Sequence, residues 1–239
     1  MGEPPPWVDV FEVLDADGNR TPGQGIPLRQ VSESTFELGA RIRYLGDTGL
    51  DASLDPYVRE LPLDPTRRSD LASVPAALRW FERAHGVHTP AALFHDFVLR
   101  QNDTVRADQA DLLFLHMLEA LGVAPIRRNL MWAAVVARTR WFTSPVALVM
   151  WVLLSALGLG LFVLSVIGVG LPSWLGGRLV VLIVSAIAPL PASLLWGRAW
   201  RAGLVAAAMA IWLLPAAVIA VLALAIYRLL EGVVGLAKT

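Results

Sequence analysis

Apolar and polar positions are ordered in three different ways along these 239 residues, and each ordering predicts a different kind of element. Residues 7–14 and 35–45 alternate with period two. In the second stretch Phe36, Leu38, Ala40, Ile42 and Tyr44 stand against Glu37, Gly39, Arg41 and Arg43. Successive side chains of a strand point to opposite faces, so the pattern predicts half-buried β-strands. Between the strands lies Asp15-Ala16-Asp17-Gly18-Asn19. It has the acidic look of a calcium loop, but its glycine is misplaced and no glutamate follows at position 12, so a hairpin turn is the better reading. Residues 70–142 change to a helical period. Pro75, Pro90 and Pro125 suit first helical positions, Thr89 suits an N-cap, and Gly86 and Gly122 suit helix stops. Helices are predicted near 75–84, 90–100, 105–121 and 125–142.

From Pro145 to Leu230 periodicity disappears because nearly every position is apolar. The charged exceptions are Arg178, Arg198, Arg201 and Arg228. A helical crossing of a bilayer needs about 20 apolar residues. Residues 146–169, 179–196 and 203–227 meet or approach that length, so three transmembrane helices are predicted. The expected fold class is α+β: a soluble domain over 1–142, with an N-terminal β portion and a helical C-terminal portion, followed by three transmembrane α-helices within 143–239.

Charge orients this arrangement. Arg127, Arg128, Arg138, Arg140, Arg198 and Arg201 fall on one side of the predicted spans, against Arg178, Arg228 and Lys238 on the other. Basic residues collect on the cytoplasmic side, which predicts a cytoplasmic N-terminus and an outside C-terminus. Lys238 is the only lysine and Ala, Leu and Val abound, a composition of GC-rich bacterial genomes, so the expected membrane is a bacterial inner membrane. The start, Met1-Gly2-Glu3-Pro4-Pro5-Pro6, lacks the basic and apolar regions of a secretory signal. Trp141, Trp174, Trp196 and Trp200 lie near the predicted interfaces, where indole rings settle. Pro189, Pro191 and Pro215 predict kinks, and Ala156-x-x-x-Gly160 and the Ala202, Ala206, Ala210 row predict close helix approach. No ionisable residue lies inside a span, which argues against a pump or transporter. The lipid bilayer is thus an expected partner, together with a protein partner or a second copy in a homo-oligomer. Zero net charge gives no footprint for nucleic acid, and the absence of cysteine excludes disulfides, thiolate metal sites and a cysteine nucleophile.

Candidate chemistry sits in the helical part of the soluble domain. The helix over 90–100 is apolar nearly all round, which marks a buried helix. Its middle nevertheless holds His95-Asp96. Buried charge is costly unless paired or metal-bound. In the next helix Asp111 shares a face with Leu115, Leu118 and Gly122, so it points toward the core. Two readings stay open. One is an acid–base or divalent-metal cluster of Asp70, His95, Asp96 and Asp111, with His85 or His88, whose side chains suit zinc, manganese or iron. The other is a satisfied polar network that pins helix packing. His116 is expected at the surface or the core edge. There is no Gly-rich phosphate loop, Gly-x-Ser-x-Gly elbow or His-Glu-x-x-His. The order His85 or His88, His95-Asp96, Asp111 parallels metal-dependent phosphohydrolases, at compressed spacing.

Several motifs together carry a family resemblance. They are Ser69-Asp70-Leu71-Ala72-Ser73-Val74-Pro75, Ala91-Ala92-Leu93-Phe94-His95-Asp96-Phe97, Arg106 with Ala110-Asp111-x-x-Phe114, Gly122-Val123, and Arg128-x-x-Met131. Over about residues 30–140 their order and spacing resemble the phage-associated domain of unknown function 1353. Phe97 replaces a usual tyrosine, and Val105 interrupts the usual helix-start run. The resemblance implies a small α+β domain of phages and prophage-bearing bacteria with no established activity, and it marks Asp70, His95, Asp96 and Asp111. The expected function is that of a membrane-anchored, cytoplasmic-facing module of phage or prophage origin that binds a partner or is structural. The alternative is a membrane-anchored, metal-assisted hydrolase using the Asp/His cluster. A pore-forming effector would need polar pore-lining residues, which the spans lack.

Overall fold

The computed structural model describes residues 9–15, 17–21, 25–32, 35–62, 68–69, 86–100, 104–166, 177–187, 189–209, 223 and 226–229. Two small antiparallel sheets open the chain. The first orders β1 (Phe11–Leu14), β4 (Arg41–Tyr44) and β5 (Glu60–Leu61) with β4 in the centre. Phe11 stands opposite Tyr44, Val13 opposite Ile42, and Ile42 opposite Leu61, so one face is wholly apolar. On the other face Glu12, Arg43 and Glu60 form cross-strand pairs, with Arg43 Nη2 3.1 Å from Glu60 Oε2. Alternation along β4 thus places charge and core on opposite sides, β1 follows it except at the buried Leu14, and opposite charges in register stabilise the pairing modestly. The 15–19 segment makes the predicted turn: Asn19 N–H donates to Asp15 Oδ1 at 2.8 Å, and Leu14 bridges to Arg20.

The second sheet orders β2 (Leu28–Gln30), β3 (Phe36–Leu38) and β6 (Arg68–Ser69). Here the structure corrects the single strand expected over 35–45. Gly39 donates its N–H to Pro27 O at 2.8 Å, and a Cβ on Gly39 would crowd Pro27. The stretch is therefore cut into β3 and β4, which join different sheets. Glu37 is also turned inward, 7% exposed and ion-paired with Arg29, where alternation had placed it outward. Both differences arise from pairing with residues 27–30, a contact that local periodicity does not encode.

Between β4 and β5 the chain makes a short α1 (Asp55–Val58), whose Val58 is fully buried. The helical layer follows: α2 (Thr89–Leu99), α3 (Ala107–Ala120) and α4 (Pro125–Thr143). Phe94 of α2 closes on the first sheet, its ring centroid 5.5 Å from Phe11 and 6.4 Å from Tyr44. Leu113, Met117 and Leu118 of α3 complete this core. Gly122 ends α3 with φ of 67°, as a helix stop needs, while Val123 N–H reaches back to Leu118 O. At the start of α2 the cap differs from expectation. His88 holds the N-cap position, and Thr89, already helical, uses its hydroxyl to accept the Gly86 N–H at 2.9 Å. The helix expected over 75–84 lies outside the described residues.

His116 is a core-edge residue, half-buried on α3 with its ring against Gly49. Gly49 has φ of 64°, and a Cβ there would land on the imidazole. Gly49→Ala therefore combines left-handed strain with a steric clash, and it is expected to cost about 1–3 kcal/mol. A denaturation midpoint indistinguishable from wild type would contradict that packing.

Described residues up to Thr139 form one compact unit, and those from Arg140 onward belong to another. In the second, α5 (Pro145–Val166) packs against α6 (Arg178–Ile187) and α7 (Pro189–Ala192). Two helical stretches, Pro145–Ser165 and Leu179–Met209, are long and apolar enough to cross a membrane. The second is interrupted. At Gly197 the backbone turns to φ 56°, ψ −123°, and residues 200–209 form a further helical run. A Cβ on Gly203 would stand 2.9 Å from Trp196 and 3.0 Å from Ser193 Cβ. In a continuous helix positions seven and ten apart are separated by about 10–15 Å, so the chain folds back on itself after Gly197. The third span expected over 203–227 falls mostly outside the described residues. Close approach occurs at Gly203 and at the fully buried Ala202, whereas Gly160, expected to allow it, is exposed with nothing within 4 Å.

Candidate functional site: a buried His–Asp–Thr network

The polar centre of the first unit joins three helices. His95 lies mid-way along α2, on the face that also buries Ala91, Ala92 and Val98. Asp111 lies in the second turn of α3, next to the fully buried Ala110 and two residues before the fully buried Leu113. Thr139 is near the end of α4, on the face carrying Trp132 and Val136. His95 Nε2 is 2.8 Å from Asp111 Oδ1, and the Thr139 hydroxyl donates to the same oxygen at 2.8 Å. With a carboxylate oxygen as acceptor, Nε2 must carry a proton, which sets the ring's tautomer or charge state. All three residues are nearly sealed, at 6%, 4% and 8% exposure. Phe114 covers the imidazole, with ring centroids 5.6 Å apart.

Helical geometry explains why these residues meet. An apolar surround makes an isolated carboxylate or imidazole expensive, and the expense is met only by mutual hydrogen bonds. Asp111 was placed on the core-leaning face with Leu118, and both are buried. Asp96 lies about 100° further round α2 than His95 and is half-buried. His88 is buried at the start of α2, with its ring against Gly86. Asp70 and His85 lie outside the described residues. Among the described residues no three His, Asp or Glu side chains gather as metal ligands would.

Thr139 was not foreseen. Its signal was nonetheless present: Trp132, Val136 and Thr139 follow the i, i+4, i+7 spacing of a buried helix face. A hydroxyl on such a face needs an acceptor, and the unpaired carboxylate expected on α3 is one.

Chemically, the arrangement can orient an imidazole and link α2, α3 and α4. A carboxylate on one ring nitrogen is also how general bases are held, but a base must reach a substrate proton, and His95 is 6% exposed. Comparison with known proteins adds one positive finding. No curated protein and no solved structure matches the chain. Residues 63–135, a narrower stretch than the motifs suggested, match the family model described as Protein of unknown function (DUF1353), so this part of the chain, which contains both His95 and Asp111, is similar to that family.

Proposed function

We propose that this protein is a membrane-anchored module of phage or prophage origin whose α+β domain is held at the cytoplasmic face of a bacterial inner membrane and acts by binding a protein partner. The observation that carries the reading is the contrast between the two units. In the first, the polar network is sealed and self-satisfied. In the second, large apolar side chains point outward: Val146 is 76% exposed, Leu179 70% and Leu194 68%. An apolar surface of that extent is costly in water and is satisfied by lipid. Arginine asymmetry supports three spans with the C-terminus outside.

Topology is tested by reporter fusions at residue 20 and at Thr239, which should report opposite sides of the membrane. Both on one side would remove the three-span arrangement. The rival reading, a metal-assisted hydrolase, is favoured by the His95–Asp111 geometry alone. Purified protein should hold no stoichiometric transition metal at neutral pH without chelator. Finding one, lost on Asp111→Asn, would replace partner binding by metal chemistry.

A further inference from the structure

Within the second unit, two segments that together carry three arginines and two tryptophans meet where the chain folds back. Arg140 lies five residues before α5, and its Nη2 is 3.8 Å from where a Cβ on Gly197 would stand. Arg198 follows Gly197 directly, and Arg201 is one turn further on. The Arg201 guanidinium sits 5.7 Å from the Trp200 ring centroid. Trp141, beside Arg140, is 58% exposed, and Trp200 is 41% exposed. Trp151 of α5 and the fully buried Trp196 meet edge-to-face at 5.3 Å, which fixes α5 against the fold-back.

Charge balance is the informative feature. Between Arg140 and Met209 the sequence contains no Asp or Glu, and Glu231 is the only acidic residue after it. Arg140, Arg198 and Arg201 have no carboxylate partner among the described residues. Like charges grouped without a counter-charge repel, so the group needs an anion from outside the chain. Guanidinium forks match phosphate oxygens in pairs, and stacking on an indole presents the fork in a fixed direction. Half-exposed indoles beside long apolar helices settle at the headgroup level.

We propose that Arg140, Arg198 and Arg201, framed by Trp141 and Trp200, bind the phosphodiester headgroup of an anionic phospholipid in the leaflet next to the α+β domain. This rests on the membrane reading above. The fold-back at Gly197 is what makes the site: it carries Arg198 and Arg201 to the end of α5 that Arg140 already occupies.

The test uses the full chain. Alkaline carbonate extraction first asks whether the protein is embedded at all; release would defeat the membrane reading itself. Protein that stays embedded is purified in detergent, exposed to equal phosphatidylglycerol and phosphatidylcholine, and examined by native mass spectrometry. Phosphatidylglycerol should be retained in about tenfold preference. The double variant Arg198→Gln, Arg201→Gln should lose that preference, while Arg178→Gln, which removes a charge elsewhere, should keep it. Inorganic phosphate at equal concentration should not displace the lipid. Equal retention of the two lipids by the wild-type protein would overturn the proposal, as would equal loss in Arg178→Gln. Displacement by inorganic phosphate would reassign the arginines to a free anion.

Discussion

Phe94→Ala should destabilise the first unit by about 3–5 kcal/mol. Phe94 is fully buried, and its ring closes an aromatic cluster in that unit's core, against Phe11 and Tyr44. Truncation removes a large apolar surface and leaves a cavity between α2 and the first sheet. The walls are strands held by cross-strand pairs and a helix held by its own polar network, so they cannot collapse into the space. A small domain is stable by only about 5–15 kcal/mol, so the variant should stand near the edge of unfolding. The measurement is the urea midpoint of the full-length protein in detergent, read by proteolysis of the region before Arg140. Phe94→Leu keeps more of the volume and should lose less. Equal midpoints for wild type and Phe94→Ala would mean that α2 does not close the sheet.

A comparable loss, about 3–5 kcal/mol, is expected for Asp111→Ala, because removing one member of a buried polar pair strands the others. His95 Nε2 and the Thr139 hydroxyl both point at one Asp111 oxygen, so a single substitution removes two bonds. Thr139 has a partial escape, since a helical hydroxyl can turn to a carbonyl in the preceding turn. His95 has none of that freedom under Phe114. Thr139→Val alone should therefore cost about 1 kcal/mol. In the double variant the losses should fall short of additive, because the Thr139–Asp111 bond is already absent once Asp111 is gone. Asp111→Asn keeps an acceptor oxygen and should cost about 1–3 kcal/mol. Full additivity would show that the hydroxyl bond carries no energy. An Asp111→Ala protein as stable as wild type would show that the carboxylate is held for chemistry and not for the fold.

What the sequence disclosed follows the range of the forces involved. Helical periodicity is local, so the core-facing side of α3 and the burial of His95 were readable from neighbours four residues away. The hairpin turn at 15–19 was readable for the same reason. Gly39 and Glu37 were misjudged because their conformations depend on β2 and the Pro27 carbonyl, which no local pattern ties to them. Thr139 carries no charge to mark it in the sequence, although a hydroxyl on a buried face makes the same demand for a partner. In the second unit, the charge of Arg198 and Arg201 predicts a break in the apolar run, and the structure breaks the helix one residue before Arg198, at the positive φ of Gly197. The sequence could not say that Gly203, and not Gly160, would be the point of closest approach, since both are small residues in an apolar run.

Synthesis order gives the Thr139 bond a further meaning. A chain is made from its N-terminus, so His95 and Asp111 leave the ribosome before Thr139 does. Thr139 lies in α4, which ends at Thr143, and α5 begins at Pro145. The second donor to Asp111 therefore emerges only as the first long apolar segment is being delivered. Until then the nascent domain carries a carboxylate with half of its final bonds. Completion of the polar network and emergence of the long apolar helix α5 are thus nearly simultaneous events, set by the step of six positions from Thr139 to Pro145.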